Sequence, residues 1–92
     1  MELNEKFKIR EDVISTELDG EIVLMDVAKG EYYSLNEVGT LIWKTIGESV
    51  VSFNDICQAI LDAFDIDRFT CEADVTKLLK QMKDTGIVEK VS

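Results

Sequence analysis

The spacing of apolar residues changes period part-way along this chain. Up to Leu35 they come in short runs rich in β-branched residues, and from Val38 onward they recur every three or four positions. The first pattern predicts strands and the second amphipathic helices. Val13–Leu18 and 21–27 read as two strands, with Asp19-Gly20 between them as a two-residue hairpin turn. Ala28-Lys29-Gly30 makes a second turn, and Glu31–Leu35 follows as a third strand. Residues 1 to 7 are weakly patterned and predict a frayed start.

Asn36 is a good N-cap for a first helix, with Glu37 at its positive end. Val38, Leu41, Ile42, Thr45 and Ile46 keep helical spacing until Gly47 ends it. Gly39 inside this helix costs ~1 kcal/mol relative to alanine, which a close backbone crossing would explain. Ser52-x-x-Asp55 has the form of a capping box, with Val51 and Ile56 as a hydrophobic staple. Phe53, Ile56, Cys57, Ile60, Leu61 and Phe64 then share one helix face. After the connection 65–69, Thr70 is a suitable cap for a third helix with Val75, Leu78, Leu79 and Met82 as its stripe. Gly86 terminates that helix, and 87–91 fits a last short strand. The expected fold is α+β and winged helix-turn-helix-like: a three-stranded antiparallel meander, three helices and a C-terminal strand.

Ninety-two residues predict a single domain, 1–92, able to bury a core without disulfides or metal. The 46% apolar and 32% charged composition is that of a globular protein. No apolar run approaches the ~20 residues of a membrane span. The N-terminus has neither a basic start nor an apolar core segment, so a cytoplasmic address and no membrane partner are expected. The net charge of −9 repels phosphate backbones and suits basic partners, or serves solubility alone.

Catalytic chemistry has little to stand on. There is no histidine, so the usual general base near neutral pH is missing and no serine or cysteine has an imidazole to activate it. Two cysteines cannot complete a tetrahedral zinc site, and they do not form Cys-x-x-Cys. The glycines are scattered and form no phosphate loop. A non-enzyme without metal, cofactor or nucleic-acid partner is expected. A strand at a sheet edge can instead accept a peptide as one more strand, through main-chain hydrogen bonds. Alternation sends Tyr33 and Leu35 to one face and Tyr32 and Ser34 to the other. Tyr33 and Leu35 also fit a core, so Tyr32 is the better candidate for an exposed peptide platform.

The run Tyr32-Tyr33-Ser34-Leu35-Asn36-Glu37-Val38-Gly39, continuing to Ile42-Trp43, resembles the signature of the PqqD-like proteins. Phe53-x-x-Ile56-Cys57-x-x-Ile60 and the segment from Asp74-Val75 through Leu78-Leu79 and Met82 to Gly86-Ile87-Val88 extend the resemblance over Val13 to Val91. These are RiPP recognition elements, which bind the leader region of a ribosomally made precursor and deliver it to a processing enzyme. The resemblance implies that the leader lies along Glu31, Tyr32, Tyr33, Ser34 and Leu35, in a groove beside the third helix. Carried over to that helix, the groove residues are Asp74, Val75, Leu78, Leu79 and Met82. Each apolar one also fits the core, and Asp74 also fits an acidic residue early in a helix. The Tyr-Tyr-Ser-Leu-Asn-Glu-Val-Gly form looks more like the standalone recognition proteins of lasso-peptide pathways, which serve a leader protease. The alternative is the chaperone of pyrroloquinoline quinone biosynthesis, which serves a radical enzyme. A DNA-binding winged helix shares the fold class but needs more positive charge than this chain has. An acyl or peptidyl carrier protein would need an Asp-Ser-Leu-type motif, where this chain has Tyr33-Ser34-Leu35.

Overall fold

The computed structural model describes residues 1–91. In chain order the elements are β1 (Lys6–Ile9), β2 (Val13–Leu18), β3 (Glu21–Asp26), β4 (Glu31–Ser34), α1 (Glu37–Ile46), β5 (Val51–Ser52), α2 (Phe53–Ala63), α3 (Arg68–Asp84) and β6 (Val88–Val91). The predicted antiparallel meander, three helices and closing strand are all present, and the α+β class holds.

The meander β2–β3–β4 is one antiparallel sheet. Its first turn uses Asp19 (φ 54°) and Gly20 (φ 83°), so both central residues have positive φ. That is the type I′ geometry whose twist matches the flanking strands. In the second turn the Asp26 carboxylate accepts a bond from the Lys29 N–H at 3.2 Å, and the Gly30 N–H bonds the Asp26 carbonyl at 2.8 Å. These bonds give the buried Asp26 its partners and return the chain as β4.

The N-terminus is not frayed, contrary to expectation. β1 is the centre of a second sheet, ordered β5-β1-β6, with Phe7 opposite Val51 on one side and Lys90 on the other. Phe7 is fully buried. The Phe53 N–H donates to the Glu5 carbonyl at 2.7 Å, which ties the start of α2 to this strand.

Asn36 and Ser52 cap α1 and α2 as predicted, accepting from the N–H groups of Gly39 (2.8 Å) and Asp55 (3.1 Å). α3 begins earlier than Thr70 suggests. Asp67 is its N-cap and accepts from the Thr70 N–H at 2.7 Å, so Arg68 and Phe69 are helical. The cap lowers the pKa of Asp67, because those donors bind its ionised form. Ile42, Ile46, Ile56, Ile60, Val75 and Leu79 pack the three helices together, closed off by Phe7, Leu24 and Val88 from the sheets. Cys57 and Cys71 are buried free thiols in this core.

Candidate functional site

β4 has a neighbour only on its β3 side, so its other edge is open. The register pairs Ser34 with Val23, Tyr33 with Leu24 and Tyr32 with Met25. Just beyond the strand, the Leu35 N–H bonds the Ile22 carbonyl at 3.0 Å. In an antiparallel ladder, inward bonding then alternates back through Tyr33 and Glu31. The N–H and C=O groups of Tyr32 and Ser34 therefore point outward, along the open edge.

Beside that edge lies a trough against α3. Its first hollow, about 300 Å³, is lined by Tyr33, Ser34, Leu35, Asn36 and Gly39 on one side and by Leu78, Gln81, Met82, Thr85 and Ile87 on the other. A second hollow of about 330 Å³ shares Asn36, Leu78 and Gln81 and adds Val38, Asp74 and Lys77. The two adjoin through these shared residues and run beside α3 from Asp74 to its C-terminal end.

The strand-to-helix junction fixes one wall. The Thr40 N–H bonds the Asn36 carbonyl at 2.8 Å, and the Thr40 hydroxyl donates to the Leu35 carbonyl at 3.4 Å. A Cβ on Gly39 would stand 3.3 Å from Asn36 Oδ1 and 3.4 Å from Leu35 Cβ. The glycine thus leaves room for the cap and for Leu35, rather than for a crossing helix. The Tyr33 hydroxyl donates to the Glu31 carboxylate, which holds the ring and raises the phenol pKa by stabilising the neutral form.

Of the sequence-derived residues, Tyr33, Ser34, Leu35, Leu78 and Met82 come together at the first hollow, and Asp74 lies in the second. Glu31 lies at the strand's start and meets the trough only through Tyr33. Tyr32, 68% exposed, is out of phase with Tyr33 and belongs to the opposite face of the sheet. Val75 and Leu79 are fully buried among the helices and do not line the trough. Helical geometry explains the split: Leu79 is rotated about 100° from Leu78, which moves it from trough to core. Asn36, Gly39, Gln81, Thr85 and Ile87 were missed. Gln81 had a signal, since it sits one turn beyond Leu78.

The family model described as "Coenzyme PQQ synthesis protein D (PqqD)" matches residues 21–88. This chain belongs to the PqqD family. Two solved structures share the PqqD-type fold. One, described as TbiB1 in complex with the TbiA(beta) leader peptide, is 30% identical, with a TM-score of 0.81 over 92% of this chain and 98% of that one. The other, a lasso peptide synthetase B1 complexed with the leader peptide, is 27% identical, with a TM-score of 0.76 over 90% and 96%. No curated protein matches the chain in sequence. Among the described residues no acidic, cysteine or histidine cluster could hold a metal, and no helix is long and apolar enough to cross a membrane.

Proposed function

We propose that this PqqD-family chain is a non-catalytic carrier for the leader region of a ribosomally synthesised precursor peptide. The leader adds as a strand to the open edge of β4, bonding the outward main-chain groups of Tyr32 and Ser34. Its alternate side chains enter the trough between Tyr33, Leu35, Leu78 and Met82. The observation that carries this reading is an unpaired strand edge directly beside an apolar channel. The similar structures solved with leader peptides support it.

The processing partner in this reading is the leader protease of a lasso-peptide pathway, because both similar structures are leader-bound proteins and one is described as a lasso peptide synthetase B1. The carrier works in the cytoplasm as one domain. The carrier role also fits the thiols: burial pushes Cys57 up to about 12, so neither it nor the buried Cys71 is poised as a nucleophile. Asp74, exposed in the second hollow, pairs with a leader cation.

Fluorescence anisotropy with labelled leader peptides tests the reading. A lasso-peptide precursor leader should bind at micromolar strength or tighter, and a pyrroloquinoline quinone precursor should bind far more weakly. The reverse order would assign the chain to the radical-enzyme branch. No binding to either would remove the carrier role. Asp74→Asn should lose affinity together with part of the salt dependence.

A further inference from the structure

Phe69, in the first turn of α3, is the most exposed large apolar side chain among the described residues, at 85%. It stands on the helix face that also carries Ala73, Thr76, Lys80 and Lys83, opposite the face lining the trough. The ring is itself one wall of a hollow of about 590 Å³, larger than either hollow of the trough, whose other walls are Phe53, Arg68, Glu72, Ala73, Thr76 and the N-terminal Met1. Its wall is fixed, because the Arg68 guanidinium bonds Glu72 at 2.8 Å and Asn54 at 2.7 Å. An exposed ring and a hollow side by side on one patch have the self-complementary form of a two-fold interface.

We infer that a second copy of this chain docks here, each Phe69 ring entering the hollow beside the other's. The charges select this occupant. The connection before α3 carries exposed Asp65 and its N-cap Asp67, with exposed Asp62 at the end of α2, and the far end of α3 carries exposed Lys80 and Lys83 beside Asp84. Two copies of α3 packed antiparallel about an axis beside Ala73 lay the lysine end of each over the acidic end of the other. The same packing opposes the helix dipoles. The Arg68 guanidinium at the rim can receive the incoming ring on its planar face. The trough lies on the other side of α3, so the dimer presents two open leader sites.

Sedimentation equilibrium of the full chain, from micromolar to millimolar concentration, tests this. The mass should rise from 10.4 kDa toward twice that value. Phe69→Ser, which removes a side chain that is 85% exposed, should hold it at 10.4 kDa throughout, with unchanged circular dichroism. Lys80→Glu should weaken association roughly two- to thirtyfold, because a two-fold interface contains each exposed ion pair twice. A wild-type mass that stays monomeric, or a Phe69→Ser variant that associates like wild type, overturns the inference. Leader binding is measured separately on Phe69→Ser and should match wild type, so failure of the dimer and failure of the carrier reading are distinguishable.

Discussion

Replacing Ser34 by proline separates the open edge from the sheet. Ser34 faces Val23 in a pair whose main-chain bonds point away from β3. Its N–H is therefore free for an added strand, and its loss breaks no bond of the β3–β4 ladder. Tyr33, the residue before, is already extended, as a following proline requires. Edge strands tolerate proline when the missing N–H faces solvent. The fold should lose about 1 kcal/mol, at the mild end of point substitutions. Binding should suffer more. One main-chain bond is worth ~1 kcal/mol net, and the leader carbonyl left unpaired under the ring adds a comparable penalty. A loss of about 2 kcal/mol raises Kd roughly thirtyfold. Tyr33→Pro is the partner experiment. Its N–H bonds inward to Leu24, so it should cost ~3 kcal/mol of stability. Thermal melts and leader titrations on both variants read the two quantities separately. If Ser34→Pro destabilises as much as Tyr33→Pro and binds normally per folded molecule, the outward phase of Ser34 is wrong.

Three further outcomes follow from burial. Tyr32→Ala should leave the melting temperature nearly unchanged, because the ring is 68% exposed, and should weaken leader binding by ~1–2 kcal/mol in calorimetric titration if the ring is a contact anchor. Leu79→Ala should cost ~2–5 kcal/mol in urea unfolding, since the side chain is fully buried, whereas Leu78→Ala should cost less and weaken leader binding instead. Burial raises the Cys57 pKa from the ordinary 9.0 to about 12, so the folded state holds its proton more tightly than the unfolded chain. The stability this contributes is fully present below pH 9.0 and is lost as pH rises toward 12, which urea midpoints across that range should follow, and a Cys57→Ala variant should follow it less steeply, keeping only the part due to Cys71 and Tyr33, whose pKa values the fold also raises.

Local signals carried most of the fold. Asp19-Gly20 forced the first turn, and Asn36 and Ser52 set two helix starts, because each acts on neighbours within three or four residues. β1 was hidden for the opposite reason. Lys6-Phe7-Lys8-Ile9 does alternate, but four residues are a weak signal, and the pairing partners Val51 and Lys90 are far along the chain. The start of α3 was misjudged because Asp67 and Thr70 are both capping residues. The earlier one wins, since its carboxylate takes the Thr70 N–H while its carbonyl takes the N–H of Cys71. At the candidate site the strand was legible as a unit. The helix residues were legible only as a stripe, because one step of 100° separates a trough position from a core position. Thr85 escaped notice because a polar residue at a helix end gives no periodic signal, and Gln81 was passed over although its spacing from Leu78 marked the same face; the packing of α3 beside β4 brings both to the trough.

Amide chemical-shift mapping during titration with a leader peptide tests the central claim most directly. The account predicts the largest shifts at Tyr32 and Ser34, and along α3 at Asp74, Leu78 and Gln81. It also predicts slowed hydrogen exchange at the Tyr32 and Ser34 amides once the added strand covers them. Shifts concentrated in α1 and α2, or unchanged exchange at those two amides in the saturated complex, would contradict strand addition on β4.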